Sequence, residues 1–362
     1  MQLRVPGPTP IPQHILEASA QQMINHRGPQ FTEMMHRVTD ALKEIFQTKG
    51  DVLILTASGT GGMEAAIVNT LSPGDKVLSA SCGVFGNRFA DIAQAFGAQV
   101  ERLTFEWGTA IDAQAVRQAL DGDSSIKAVL VTHNETSTGV TSDMAAISAA
   151  VKGHGALLLV DAISSLGAID LPVDGLGCDV VVTGSQKGWM APPGLTMVSV
   201  SERAWQAHRQ ATMPRFYWDF TKAKKFFDEK GQTPWTPAVS VFYALDAALE
   251  QFKRDGLKEI VARHARIGAK ARGGVKSLGL PLFAQDSCAS NTVTAVAAPE
   301  GLDTKRLLKL LREEYDTVLA GGQQSLDGKI FRIGHLGYVT EGDIDEVLAA
   351  LKAALPRAGL AV

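Results

Sequence analysis

The 362-residue sequence lacks several features that would decide its class at once. It has three cysteines, Cys82, Cys178 and Cys288, far apart and without a CxxC pair. Neither a disulfide scaffold nor a cysteine metal site is expected from them. No uninterrupted apolar run approaches the ~18 residues a membrane span requires. The first residues, Met1-Gln2-Leu3-Arg4-Val5-Pro6-Gly7-Pro8, carry no apolar signal core and are broken by proline. The last, Gly359-Leu360-Ala361-Val362, are not a peroxisomal address. A dominant charge is also missing: 35 basic and 38 acidic residues leave a net charge of −3, interspersed along the chain. That gives no electrostatic footprint for nucleic acid. These absences point to a cytoplasmic protein with reduced thiols that binds neither membrane nor nucleic acid.

What is present is ordinary for a globular chain: 45% hydrophobic residues, 20% charged, 35 Gly and 15 Pro. The length allows two domains, or one large α/β domain with an appendage. Between residues 51 and about 200, short apolar runs alternate with amphipathic stretches. Asp51–Leu55, Lys76–Ser79, Ala128–Val131, Ala156–Val160, Asp179–Val182 and Leu195–Val198 read as strands, with helices at Met63–Leu71 and Arg88–Phe96. Their near-continuous apolar character predicts a mostly parallel sheet covered by helices on both faces. Beyond about residue 250 the pattern becomes α+β. A long helix over Leu257–Leu278, broken at Gly273-Gly274, is followed by short strands at Thr292–Val296 and Phe331–Ile333 and helices at Thr304–Tyr315 and Asp343–Leu355. The division expected is a large domain over 15–250, and a small one made of 1–14 with 251–362.

In parallel sheets the ligand crevice lies beyond the carboxyl ends of the strands. Three segments there carry chemistry. Ser58-Gly59-Thr60-Gly61-Gly62 offers close backbone approach and a helix N-terminus to a phosphate, although it also reads as a plain glycine-rich turn. Its register is neither that of a Walker loop nor of a dinucleotide fingerprint. Asp161 ends a strand-like run, where a carboxylate can cap a helix or hold a ring nitrogen protonated. Lys187, 26 residues further on, is flanked by small residues and by Trp189-Met190-Ala191-Pro192-Pro193-Gly194. Such surroundings desolvate an ammonium and make the amine nucleophilic, whereas most lysines are solvated surface groups. Phosphate turn, carboxylate and amine, in that order, are what a pyridoxal-phosphate site needs.

At these residues the sequence resembles the class V aminotransferases, in the branch of alanine–glyoxylate and serine–glyoxylate (serine–pyruvate) enzymes. The resemblance runs from Pro6-Gly7-Pro8-Thr9-Pro10 to Phe331-Arg332-Ile333-Gly334-His335-Leu336-Gly337 and is strongest at Gly184-Ser185-Gln186-Lys187 with Ala191-Pro192-Pro193-Gly194. It implies the aspartate aminotransferase-like fold, fold type I, and pyridoxal 5'-phosphate held by Lys187 as a Schiff base. By the same resemblance Asp161 pairs with the pyridine nitrogen, and Ser58, Gly59, Thr60 and Gln186 take the phosphate. Phe85 stacks on the ring, and Thr136 reaches the ring hydroxyl. Arg332 clamps the substrate carboxylate, for which a bidentate fork suits better than lysine. Gly7 and Asn25 are further substrate contacts. Gln232, Thr233, Trp235 and Thr236, in Gln232–Pro237, reach the phosphate of a partner subunit, and Asn25-His26-Arg27 also contributes across a homodimer. Asn25 stands where relatives have glycine.

The implied reaction moves an amino group from a small L-amino acid, alanine or serine, to glyoxylate or pyruvate. No metal is expected. The alternative on the same fold is a cysteine desulfurase or other pyridoxal-phosphate lyase; a desulfurase needs a thiol in Leu319–Arg332, which has none, and relatives of that kind usually carry histidine where Gln186 stands. A dinucleotide oxidoreductase needs GxGxxG, which Ser58–Met63 does not fit. A non-enzymatic cofactor-binding relative is the reading from another class.

Overall fold

The computed structural model describes residues 2–360; Met1, Ala361 and Val362 lie outside them. Seven strands form the central sheet: β1 (Asp51–Ala57), β2 (Lys76–Ser81), β3 (Gln99–Thr104), β4 (Ala128–Thr132), β5 (Leu157–Asp161), β6 (Val180–Gly184) and β7 (Gly194–Val200). Their order is β1-β7-β6-β5-β4-β2-β3. Only β7 runs against its neighbours, pairing antiparallel with β1 and β6. The carboxyl ends of β1, β2, β4, β5 and β6 therefore share one edge of the sheet.

Successive residues of the central strands feed two separate hydrophobic clusters. Val129, Val131, Leu158, Val160 and Val181 enter one, and Ala128, Leu130, Leu157, Leu159, Val180 and Val182 the other. The period of two thus survives inside uniformly apolar runs, because both faces are covered. On one face lies α1 (Pro29–Phe46), which starts with proline after Gly28 and buries Phe31, Met35, Val38, Leu42 and Phe46 at helical spacing. The other is covered by α2 (Gly59–Thr70), whose buried side chains include Met63, Ala66 and Ile67. Strand β3 was not among the expected strands. It is the polar edge strand, largely exposed, with Glu101 and Arg102 on it.

A further helix, α3 (Val84–Ala95), packs on β2. Towards the C-terminus, α4 (Val239–Asp255) and α5 (Leu257–Ser277) lead to β8 (Val293–Ala297), α6 (Thr304–Glu314), β9 (Ala320–Gly321), β10 (Ile330–Gly334) and α7 (Glu341–Ala354). The antiparallel sheet β8-β10-β9 has its own core of Val296, Leu307, Leu311, Phe331, Ile333 and Leu351. The N-terminal segment joins this part: Gln2–Leu3 pairs with Thr317–Val318, and Gly334 N donates to Arg4 O at 2.7 Å.

Residue 250 lies inside α4, which continues to Asp255, and Gly256 follows with φ of 78°. One expectation needs correction. Helix α5 does not break at Gly273-Gly274. Gly274 instead lets α7 approach, since a Cβ there would overlap the Leu348 side chain. Among the described residues, no helix is long and apolar enough to cross a membrane.

Candidate active site

A cavity of about 250 Å³ opens at the shared carboxyl edge of the sheet. It is lined by residues that the sequence places far apart: Gly7, Ser58, Gly59, Thr60, Phe85, Thr136, Asp161, Gln186 and Lys187. Asn134, Ser164, Ile163 and Arg88 complete much of the wall and had been given no role.

The turn after β1 starts α2. Ser58 is its N-cap residue, yet its side chain caps nothing. A helix beginning without a side-chain cap leaves first-turn N–H groups and the positive dipole end facing the cavity. Gly59 packs so closely that a Cβ would lie 2.5 Å from Ile163 Cδ1. Bare backbone and a helix N-terminus suit a phosphate.

Asp161 ends β5 and is buried. Its Oδ1 accepts from Ile163 N at 2.9 Å and its Oδ2 from Thr132 Oγ1 at 3.3 Å. Burial dominates and pushes its carboxyl up to about 6. Lys187 follows β6 in a turn pinned by Trp189. That ring is fully buried between Phe46 and Phe252, and its Nε1 donates to Thr183 Oγ1 at 2.9 Å. Burial lowers the Lys187 amine to about 8, against the opposing pull of Asp161. Its Nζ donates to Pro6 O at 2.5 Å, and a Cβ on Gly7 would sit 2.5 Å from the same Nζ. Thr9 locks this N-terminal strap onto the lysine turn, Oγ1 donating to Lys187 O at 3.0 Å.

The carboxylate of Glu135 was missed by sequence reasoning. It is buried and accepts from Phe85 N at 2.9 Å, Gly86 N at 3.1 Å, Ser137 N at 3.1 Å and Ser137 Oγ at 2.6 Å. It thereby caps α3 from another segment and fixes the Phe85 backbone; no local capping signal marks it, because the partners are about 50 residues apart. The guanidinium of Arg88 lies 4.7 Å from the Phe85 ring centroid. It has no hydrogen-bond or ion-pair partner among the described residues.

Arg332 sits behind the wall rather than on it. It is buried in β10, and its Nη1 donates to Thr136 O at 3.0 Å. Burial lowers it to about 10, so it keeps its charge near neutral pH. Asn25, Gln232, Thr233, Trp235 and Thr236 do not line the cavity of their own chain. The two segments meet elsewhere: Arg27 donates to Gln232 Oε1, Thr233 O and Pro234 O. Beside them Trp235 stacks on Phe216, which is 67% exposed. None of the three cysteines lines the cavity. Cys82 and Cys178 are buried, burial pushing Cys178 up to about 12.

The sequence pattern of the class V aminotransferases matches residues 4–347. This chain belongs to that family. It is 48% identical to a protein of Anabaena cylindrica named as a soluble hydrogenase 42 kDa subunit, over 99% of this chain and 94% of that one. It is 40% identical to an L-aspartate–glyoxylate aminotransferase of Paracoccus denitrificans, over 93% and 86% respectively. Identity to a serine–glyoxylate aminotransferase of Methylorubrum extorquens is 38%, over 99% and 92%. Among solved structures, pyridoxamine–pyruvate aminotransferase of Mesorhizobium loti superposes with a TM-score of 0.95 at 34% identity, covering 100% of this chain and 93% of that one.

The class V aminotransferase is thus a fold type I enzyme using pyridoxal phosphate. The cavity fits that group on its own evidence. An uncapped helix start faces one end of it, a buried carboxyl whose Oδ2 accepts one long hydrogen bond of 3.3 Å stands in its wall, and a desolvated amine completes it.

Proposed function

We propose that the protein transfers an amino group from a small L-amino acid, alanine or serine, to a 2-oxo acid, glyoxylate or pyruvate, with Lys187 as the cofactor's anchor. The observation that carries the assignment of roles is the placement of Lys187 and Asp161 in one cavity with the α2 N-terminus. Pyridoxal phosphate, when bound, supplies an electron sink that stabilises charge developing at the substrate Cα.

The rest is done by the chain. Ser58, Gly59, Thr60 and the Gln186 side chain bind the phosphate. Asp161 keeps a ring N–H in place: pairing with a cation opposes the burial that raises its carboxyl. Phe85, held by Glu135, supports one ring face, and Thr136 hydrogen-bonds the ring hydroxyl. Arg332 grips the substrate carboxylate, with Gly7 lining the approach. The Lys187 amine would carry the proton between the substrate Cα and the cofactor's aldehyde carbon, two bonds apart, a general-base and general-acid task that suits an amine near 8.

The active unit is a homodimer with shared sites. Asn25–Arg27 and Gln232–Thr236 then serve the partner's phosphate and substrate, which accounts for their position away from their own cavity. The exposed Phe216 and Tyr217 rings, with the half-buried Trp235 stacked on both, supply the apolar surface that such an interface covers. We place the protein in the cytoplasm, and divide it into a large domain ending near Asp255 and a small one joined by the N-terminal segment. Alanine, serine and aspartate, each offered with glyoxylate or pyruvate, test the substrates. Conversion of none of these pairs by protein carrying the cofactor would refute the assignment.

A further inference from the structure

The Arg332 guanidinium carries five N–H donors in one plane. Four have acceptors within the chain. Nε and Nη2 both donate to Gly321 O, at 2.9 and 2.7 Å. Nη1 donates to Thr136 O at 3.0 Å and to Gln323 Oε1 at 3.3 Å. The Nε–Nη2 edge is thus closed by a backbone carbonyl. A carboxylate that takes two parallel hydrogen bonds has the Nη1–Nη2 edge left to it. There the second Nη2 hydrogen has no partner among the described residues, while Nη1 is fully engaged. Of its two acceptors, Thr136 O belongs to a buried backbone turn, and Gln323 Oε1 makes the longest of the four bonds. Gln323 is also the one side chain among these acceptors.

We infer that Gln323 is a positioning residue for the substrate's carboxylate. Its amide oxygen satisfies Nη1 while no substrate is present. When a carboxylate displaces that oxygen, the amide turns over and its NH₂ donates to the newcomer. This rests on the proposal that Arg332 receives the substrate carboxylate.

The backbone of Gln323 is held so that only the side chain adjusts. Gly321 pairs with Phe331 across β9–β10, Gly322 N donates to Ile330 O at 3.1 Å, and Leu326 N donates to Gln323 O at 3.0 Å. A Cβ on Gly322 would overlap Leu326 O, and Gln324 sits at φ of 51°. The terminal amide torsion is broad, so turning it over costs little. The residue type also fits. A glutamine amide accepts from a guanidinium and donates to a carboxylate, whereas glutamate only accepts and leucine does neither. The ligand class is any small acid with its carboxylate beside the reacting carbon, amino acid and 2-oxo acid alike.

Gln323→Leu and Gln323→Glu, purified with cofactor, test this in two ways. The first is spectral titration with alanine, and with 2-methylalanine, which has no Cα hydrogen and so reports binding without proton transfer. The leucine variant is expected to raise half-saturation about 10-fold, and glutamate, ion-paired to Arg332, about 100-fold or more. The maximal bleaching rate with alanine should change less than about threefold, since the carboxylate contact is the same before and during proton transfer. The second is calorimetric titration of cofactor-free protein with pyruvate, where affinity should rank wild type above leucine above glutamate. Half-saturation within about twofold of wild type in both variants would overturn the inference, as would glutamate binding better than leucine. A fall in maximal rate at unchanged half-saturation would overturn it as well. A wild-type protein without a yellow band, or an Arg332→Lys variant with unaltered affinity, would instead defeat the reading on which it rests.

Discussion

Lys187 should capture pyridoxal phosphate at a pH where an ordinary lysine does not. Its amine stands near 8 rather than 10.5, because the Lys187 side chain is buried behind Gly7 and the Trp189 turn. At about pH 7.5 an amine of pKa near 8 is roughly one-quarter neutral, and one near 10.5 is neutral in about one molecule per thousand, a ratio of roughly 200 in reactive form. The assay is growth of absorbance near ~410–420 nm after mixing cofactor-free protein with pyridoxal phosphate across the pH range. The rate should rise with pH to a midpoint near 8. The same group makes a stability prediction. Its folded value lies below its unfolded one, so between about 8 and 10.5 the unfolded chain binds more protons and stability increases with pH. That gain amounts to about 3 kcal/mol in the cofactor-free protein, and Lys187→Met should abolish it. A capture midpoint near 10.5, or a Lys187→Met variant with an unchanged stability profile, would refute the argument from burial.

Arg332→Lys should raise half-saturation for the amino acid about 30-fold or more, since a point charge replaces a planar fork; titration of the bleaching reaction measures it. Gly59→Ala should weaken cofactor affinity about 10-fold by pushing on Ile163, and adding Ile163→Ala should restore part of it, as read by spectral titration with pyridoxal phosphate. Glu135→Ala strips the acceptor from three backbone N–H groups and the Ser137 hydroxyl. It should cost about 3–5 kcal/mol in urea unfolding of the cofactor-free protein.

The sheet was legible because its strands are apolar runs punctuated by turns, and the ligand edge followed from the parallel pattern. Ser58, Asp161 and Lys187 were singled out together, by their order along the chain at or just past strand ends. Strand β3 escaped because an edge strand with exposed Glu101 and Arg102 lacks the apolar signature. The Gly273-Gly274 pair misled because local propensity opposes helix there, while packing against Leu348 decides the outcome. Glu135 and Gln323 were invisible for another reason. Their work lies in hydrogen bonds to Phe85 and Arg332, and periodicity carries no record of which loops meet. Asn25, Gln232, Thr233, Trp235 and Thr236 were assigned by resemblance and do not line the cavity of their own chain.

The central claim is that Lys187 and the cofactor exchange an amino group with a small amino acid. The most direct measurement is the absorption spectrum of purified protein and of Lys187→Ala while alanine, serine and aspartate are added singly without acceptor. The account predicts a band near ~410–420 nm that one of them converts to absorbance near ~330 nm in wild type and not in the variant. A protein that stays colourless with added pyridoxal phosphate, or a Lys187→Ala variant that bleaches at the wild-type rate, would contradict it.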